Sequence, residues 1–441
     1  MTDCFKQRRK AVFAVLEDHS MMLVSSGEET IRNRDVEHPF RVDSDFYYLT
    51  GFDEPEAVLV LSKTPDAEQT YLFLRPKDPE QETWQGRRLG VDAAADQLGV
   101  DQAWAQEEMH EQMPVLLDGI QQIYFSFAQL GSWSPLMDEW IAGQKAKSRQ
   151  GVVAPGRLCD ADTILHEMRL IKSVEEIESM REAARITVAG HLAAMRSAAG
   201  KAGYEYQVQA DLECTFKREG SPRVAFNSIV ASGENACILH YTENSDSLKE
   251  DALILVDAGA EFEGYAGDIT STFPAQGQFT PEQKVLYELT LKAQQAAISV
   301  IQPGIRYDQM HQASAKVIIQ GLVELGILNG EVEELFESEA YKPFFMHGTG
   351  HWLGMDVHDV GAYKQSGEWR TLQPGMVVTV EPGIYISSET GRAEGVEPRY
   401  WGIGIRIEDD VLVTEKGYEI LTSGLPRTVD EIEHFMAEHS A

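Results

Sequence analysis

Leu253-Ile254-Leu255-Val256-Asp257-Ala258-Gly259 and, eleven positions after its aspartate, Asp268-Ile269-Thr270-Ser271-Thr272 decide the reading of this chain. The apolar run has the length of a buried strand, and a carboxylate at its end is costly to bury unless paired or bound to a cation. Beyond Gly264-Tyr265-Ala266-Gly267, Asp268 opens a second strand. Its period-two face also carries Thr270 and Thr272, which are placed to orient it. Taken alone, each aspartate reads equally well as a turn or cap residue. The pair together suggests a site.

A second strand pair of the same kind follows, Met376 to Tyr385 and then Gly402 to Val413. Val377-Val378-Thr379-Val380 runs into Glu381-Pro382-Gly383, and Gly404-Ile405-Arg406-Ile407 runs into Glu408-Asp409-Asp410. Period two puts Gly404, Arg406 and Glu408 on one face and isoleucines on the other, so an Arg and a Glu share a site or simply form an ion pair. Two pairs that each deliver two carboxylates point to an internally duplicated scaffold with the site between its halves. Between the pairs lies His347-Gly348-Thr349-Gly350-His351, with His358 seven residues on. The i, i+4 histidines resemble a zincin helix, but Gly348 replaces the required Glu and two glycines intervene, so this segment is a loop or strand presenting imidazoles. Four carboxylates (Asp257, Asp268, Glu381, Glu408) and one imidazole form an oxygen-rich set that suits a hard or borderline divalent ion, with manganese ahead of zinc and cobalt or iron also fitting. Four such charges balance two ions, with a bridging hydroxide as nucleophile.

Working outward, Ser173 and Glu176 form a capping box ahead of Ile177, Met180, Ala184, Val188, Leu192 and Met195 at helical spacing. Thr280-Pro281-Glu282-Gln283 is a second helix start. The segment Gly151 to Asp162 reads as a connection, placing a domain boundary near residue 170. Before it, Phe46-Tyr47-Tyr48-Leu49, Ala57 to Leu61 and Tyr71 to Leu74 are predicted strands, separated by Gly51, Pro55 and Pro65. Helices are predicted around Ala93 to Leu98 and Met113 to Ile120, followed by the apolar run Ile123 to Phe127. This alternation predicts an α/β domain.

With 441 residues, two domains are the default expectation. No apolar run approaches a membrane span, so a soluble protein without membrane partners is expected. Lys6, Arg8, Arg9 and Lys10 precede the run Ala11 to Leu16, which is too short for a signal peptide and is stopped by Glu17 and Asp18. An amphipathic helix is the better reading, and export is not expected. Cys4, Cys159, Cys214 and Cys237 are too dispersed for a zinc cluster or disulfide framework and suit reduced thiols in a cytoplasm. A net charge of −33 argues against nucleic acid as a partner.

These motifs, together with Ser44-Asp45-Phe46-Tyr47-Tyr48-Leu49-Thr50-Gly51-Phe52, Arg87-Arg88-Leu89-Gly90, Asn235 to Asn244 and Pro343 to Asp359, resemble aminopeptidase P, of the creatinase and methionine aminopeptidase group. The resemblance implies an α+β chain: a smaller creatinase-like α/β domain over residues 1–170 for oligomerisation and substrate access, then a pita-bread dinuclear metallopeptidase domain over 171–441. It implies hydrolysis of an N-terminal Xaa-Pro bond with two divalent ions, Mn²⁺ first. By resemblance Asp257 is a terminal ligand on one ion, Asp268 and Glu408 bridge, and His351 with Glu381 complete the second. His240, His347, His358 and Arg406 match outer-site residues that steady the scissile carbonyl and line the proline pocket, Tyr385 matches a substrate-site residue, and Glu381 relays the proton. Trp84 matches a tryptophan that reaches a neighbouring subunit's site, implying a homotetramer. Phe226 stands where close relatives carry tyrosine. The same fold and ligands also serve prolidase, which cleaves Xaa-Pro dipeptides, and relatives that lack ligands are metal-free binding modules.

Overall fold

The structure, a computed structural model, describes residues 2–200 and 202–440. The chain separates into two compact units, one ending at Arg169 and the next beginning at Leu170. No helix among the described residues is long and apolar enough to cross a membrane.

The first unit opens with helix α1 (Thr2–Val15) and strand β1 (Ser20–Ser25). Helix α2 (Ser44–Thr50), strands β2 (Val58–Lys63), β3 (Glu68–Leu74), β4 (Gln102–Ala105), β5 (Gln122–Phe125) and β6 (Arg157–Asp160) follow. The strands form one mixed sheet in the order β4-β3-β2-β1-β5-β6. Its core joins Met21, Leu23, Val60, Phe73, Ile123 and Phe125 to Met113, Trp133 and Trp140. One predicted strand is corrected: Phe46-Tyr47-Tyr48-Leu49 is helical. Asp43 caps α2 by accepting from the Asp45 and Phe46 amides, and Gly51 ends it with φ of 64°. Strand propensity in the aromatic run yields to these two caps and to burial of Phe46 and Leu49.

The second unit begins with α3 (Val174–Ala199), where the Ser173–Glu176 capping box is formed in both directions. Met180, Ala184 and Met195 are buried, whereas Ile177, Val188 and Leu192 are only half-buried. The helix turns instead toward Ala183, Thr187, Gly190, His191 and Ala194, because small side chains allow close approach: a methyl on Gly190 would lie 2.2 Å from the Phe216 ring. Strands β7 (Ile229–Ser232), β8 (Leu253–Ala258) and β9 (Ile269–Pro274) make one antiparallel sheet in that order. Fully buried His191 ties α3 to two of them, with Nε2 3.1 Å from the Ala258 carbonyl and Nδ1 2.8 Å from Ser271 Oγ.

Helices α4 (Pro281–Ser299), capped by Thr280 and Gln283, and α5 (Asp308–Glu324) pack on each other. The second predicted strand pair is present but interrupted, as β10 (Val377–Val380), β11 (Gly383–Ile386), β12 (Ile403–Arg406) and β13 (Asp409–Thr414). Val380 pairs with Asp409 and Gly383 with Arg406, so one antiparallel register runs through the gap and sets Glu381 opposite Glu408. Pro382, which has no N–H to give a ladder, sits at the interruption.

Gly259 and Gly267 bring the backbone turns around Asp257 and Asp268 together, since a methyl on Gly259 would lie 1.7 Å from the Gly267 carbonyl oxygen. Backbone cannot swing aside as a side chain can. Gly259→Ala is therefore expected to destabilise the fold by roughly 1–3 kcal/mol, read as a lower urea midpoint. Gly143→Ala, in a helix with open space around it, should be neutral or slightly stabilising.

Candidate metal centre

A cavity of about 420 Å³ in the second unit is lined by His240, Asp257, Asp268, His347, His351, His358, Glu381, Arg406 and Glu408, with Phe226, Leu239 and Val357 among its apolar walls. Each polar residue reaches it from a strand end or loop. Asp257 is the penultimate residue of β8, Asp268 comes from just before β9, and Glu381 and Glu408 from the two facing interruptions. One ligand atom from each of Asp268, His351 and Glu408 lies within 4.8 Å of the others. His351 Nε2 is 3.5 Å from Asp268 Oδ2 and 3.6 Å from Glu381 Oε1. Its Nδ1 donates to the Trp352 carbonyl at 3.0 Å, which leaves Nε2 as the nitrogen that faces the carboxylates.

Arg406 holds the acids in register. Nη2 donates to Asp257 Oδ2 at 2.5 Å, Nη1 to the Tyr385 hydroxyl at 2.9 Å and Nε to Thr270 Oγ1 at 3.1 Å. Thr270 in turn donates to Glu408 Oε2 at 2.7 Å. An Arg406–Glu408 ion pair is thus replaced by Arg406–Asp257, with Thr270 linking Arg406 to Glu408. The threonines expected to orient Asp268 serve Glu408 and Arg406 instead, because Thr272 Oγ1 bonds the Arg406 carbonyl at 2.9 Å. The Asp268 amide is held by Asp410 Oδ2 at 3.0 Å.

Tyr385 is fully buried behind the cavity, its hydroxyl 2.8 Å from His347 Nε2. It is not among the residues that line the cavity. His347 Nδ1 faces the Gly348 carbonyl at 2.7 Å. His358 and His240 are exposed, and the His358 ring stands edge-on to His351 at 4.4 Å. Trp84 belongs to the first unit, on a helix over Pro79–Gln85, and is 82% exposed. Sequence reading missed Asp410, although it closes a run of three acids at the mouth of an apolar strand. It also missed Arg427, whose Nη2 donates to the Glu408 carbonyl at 2.7 Å.

Burial first, and mutual repulsion second, raise the pKa of Asp410 and Glu408 well above the usual carboxylate range. Burial also lifts Asp268 to about 6 and Glu381 to about 7. Burial opposes a charge on His351, but the Asp268 hydrogen bond and the Glu381 carboxylate outweigh it and raise the ring to about 9. Burial and then Arg406 push His347 down to about 3. Among the described residues, Asp257 Oδ1, Asp268 Oδ1 and Asp410 Oδ1 are buried without a hydrogen-bond partner. Crowded acids, orphaned oxygens and one available imidazole nitrogen form a donor set that fits divalent cations. Between pH 7 and 9 the metal-free native state holds protons on His351, and near pH 7 on Glu381, that the unfolded chain has released, so its stability falls as pH rises. The melting temperature of chelator-stripped protein is expected to drop from pH 7 to pH 9, and the drop should shrink when Mn²⁺ is present.

Residues 178–415, more than half of the chain, match the model of metallopeptidase family M24, and residues 5–124 match the aminopeptidase P N-terminal domain. The chain is 46% identical to Xaa-Pro aminopeptidase of Haemophilus influenzae, across 98% of this chain and 96% of that one. Identity to Xaa-Pro aminopeptidase of Escherichia coli is 44%, across 98% and 97%. The structure of Pseudomonas aeruginosa aminopeptidase PepP superposes with a TM-score of 0.95 at 47% identity, covering 100% of this chain and 98% of that one. Zinc-substituted Escherichia coli aminopeptidase P in complex with product gives 0.96 at 42% identity, covering 100% and 99%. With the site's donors assembled in one cavity, these similarities identify the chain as a member of metallopeptidase family M24 that carries the aminopeptidase P N-terminal domain.

Proposed function

We propose that this chain removes the N-terminal residue of peptides whose second residue is proline, with two divalent cations, Mn²⁺ in the native enzyme. The convergence of Asp257, Asp268, His351, Glu381 and Glu408 on one cavity carries the reading. Asp257 would hold one ion, Asp268 and Glu408 both, and His351 with Glu381 the other. When bound, such a pair supplies an activated water and polarises the scissile carbonyl.

The chain's own residues orient the peptide and move the proton. Glu381, on the cavity wall beside His351, is placed to take a proton and return it to the leaving amine. His240 and His358, exposed toward the cavity, donate to the carbonyl oxygen as charge develops on it. Both ring nitrogens of His347 are engaged, by Tyr385 and Gly348, so it serves as a wall of the proline pocket together with Phe226 and Leu239. Arg406, on the cavity wall, fixes Asp257, and Tyr385 behind it fixes His347.

Residues 1–170 form the domain for assembly and substrate access, and residues 171–441 the catalytic domain of a cytoplasmic homotetramer. Trp84, 82% exposed, presents an indole face that is open to a neighbouring subunit, which fits that reading. Prolidase activity would use the same ligands, and the named relatives favour the aminopeptidase. A metal-free binding module would have no need of an intact ligand set.

Chelation is expected to abolish cleavage of Ala-Pro-Ala and added Mn²⁺ to restore it, with the tripeptide turned over faster than Ala-Pro. A strong preference for the dipeptide would point to prolidase, and cleavage indifferent to chelator would remove the metal from the reaction. Light scattering should return four times the chain mass of 49.2 kDa, with Trp84→Ala raising KM for the tripeptide. A monomer with unchanged KM would contradict the assigned role of Trp84.

A further inference from the structure

Thr349 lies midway between His347 and His351, 3% exposed. Its carbonyl accepts the Glu381 amide at 2.8 Å. Its hydroxyl is 3.0 Å from His311 Nδ1 and 2.6 Å from Ser314 Oγ, both on α5. His311 Nε2 is in turn 3.0 Å from the Tyr341 hydroxyl, and the Ser314 hydroxyl is 3.2 Å from the His311 carbonyl. A carbonyl can only accept, so the direction of every bond follows from that end. Ser314 donates to the His311 carbonyl, Thr349 to Ser314, His311 Nδ1 to Thr349, and Tyr341 to His311 Nε2. Burial lowers the pKa of His311, which suits the neutral ring this pattern needs.

None of these four side chains takes part in the chemistry proposed above. The loop they hold has two glycines, and Gly350 is pressed so close to β10 that a methyl there would lie 1.9 Å from the Thr379 carbonyl oxygen. Neither glycine has a side chain to anchor the segment. The only side chain between the two histidines is that of Thr349, and it is bound to the rigid helix α5 while its backbone holds Glu381. We propose that Thr349, held by His311 and Ser314, is a positioning residue that fixes the spacing of His351 and Glu381 and thereby the affinity of the cation they share. The proposal rests on the reading of His351 and Glu381 as ligands of one ion.

The test is calorimetric titration of the full-length, chelator-stripped protein with Mn²⁺, alongside turnover of Ala-Pro-Ala. Partners behind metal ligands are worth about 10–100-fold in affinity or activity. Thr349→Val, which keeps the shape and removes the hydroxyl, is expected to weaken one of the two Mn²⁺ sites about tenfold. At a fixed low Mn²⁺ concentration it should lower kcat in step, with KM unchanged. Thr349→Ser, which keeps the hydroxyl, should stay within about twofold of wild type. Should Thr349→Val fail to fold, Ser314→Ala is expected to weaken the same site in the same direction. Wild-type Mn²⁺ binding in Thr349→Val, or in Ser314→Ala, would overturn the proposal. An equal loss in Thr349→Ser would do the same, because shape and not the hydroxyl would then matter. Wild-type protein that binds Mn²⁺ but leaves the peptide intact would overturn the peptidase reading alone, since the Mn²⁺ titration still judges Thr349.

Discussion

Carboxylates forced together out of water repel one another, and the architecture of the second unit is arranged around that cost. Asp257, Asp268, Glu408 and Asp410 are buried within one small region, with Glu381 beside them. A charge so placed needs a counter-charge or a proton. Arg406 supplies one charge, and the raised pKa values of Asp268, Glu381, Glu408 and Asp410 show how far it falls short. Cations resolve the remainder.

Holding such a set requires rigid backbone, and strand ends provide it. Asp257 and Asp268 are fixed by the β8–β9 ladder and by the close contact of Gly259 with Gly267. Glu381 and Glu408 face each other because one register passes through two interruptions. Behind them, Thr270 and Arg427 bond Glu408 and Asp410 bonds the Asp268 amide, so these two acids leave their strands already aimed. Helices supply the next layer, His191 from α3 and His311 from α5.

Much of this was legible from residue order. Asp257 stood out because a carboxylate ended a buried apolar run, and Glu381 and Glu408 for the same reason. Capping residues at Ser173 and Thr280 named two helices correctly, because a cap is local chemistry between neighbours. Phe46 to Leu49 was misread, since aromatic residues favour strands on average while Asp43 and Gly51, also in plain view, carried the deciding information. The buried face of α3 was shifted because Gly190 and the alanines beside it admit Phe216, a partner 26 positions away in sequence.

Residue order by itself determined the α+β class, the four candidate carboxylates and the preference for a hard or borderline cation, because strand period, cap chemistry and donor type are properties of neighbours along the chain. Tertiary structure alone decided the partners: Arg406 with Asp257 and not Glu408, Tyr385 behind His347 and off the cavity wall, Asp410 on the Asp268 amide, and His311 on Thr349. Those pairings join residues 38 to 149 positions apart, and they depend on which backbones pack against which, a fact no local spacing encodes.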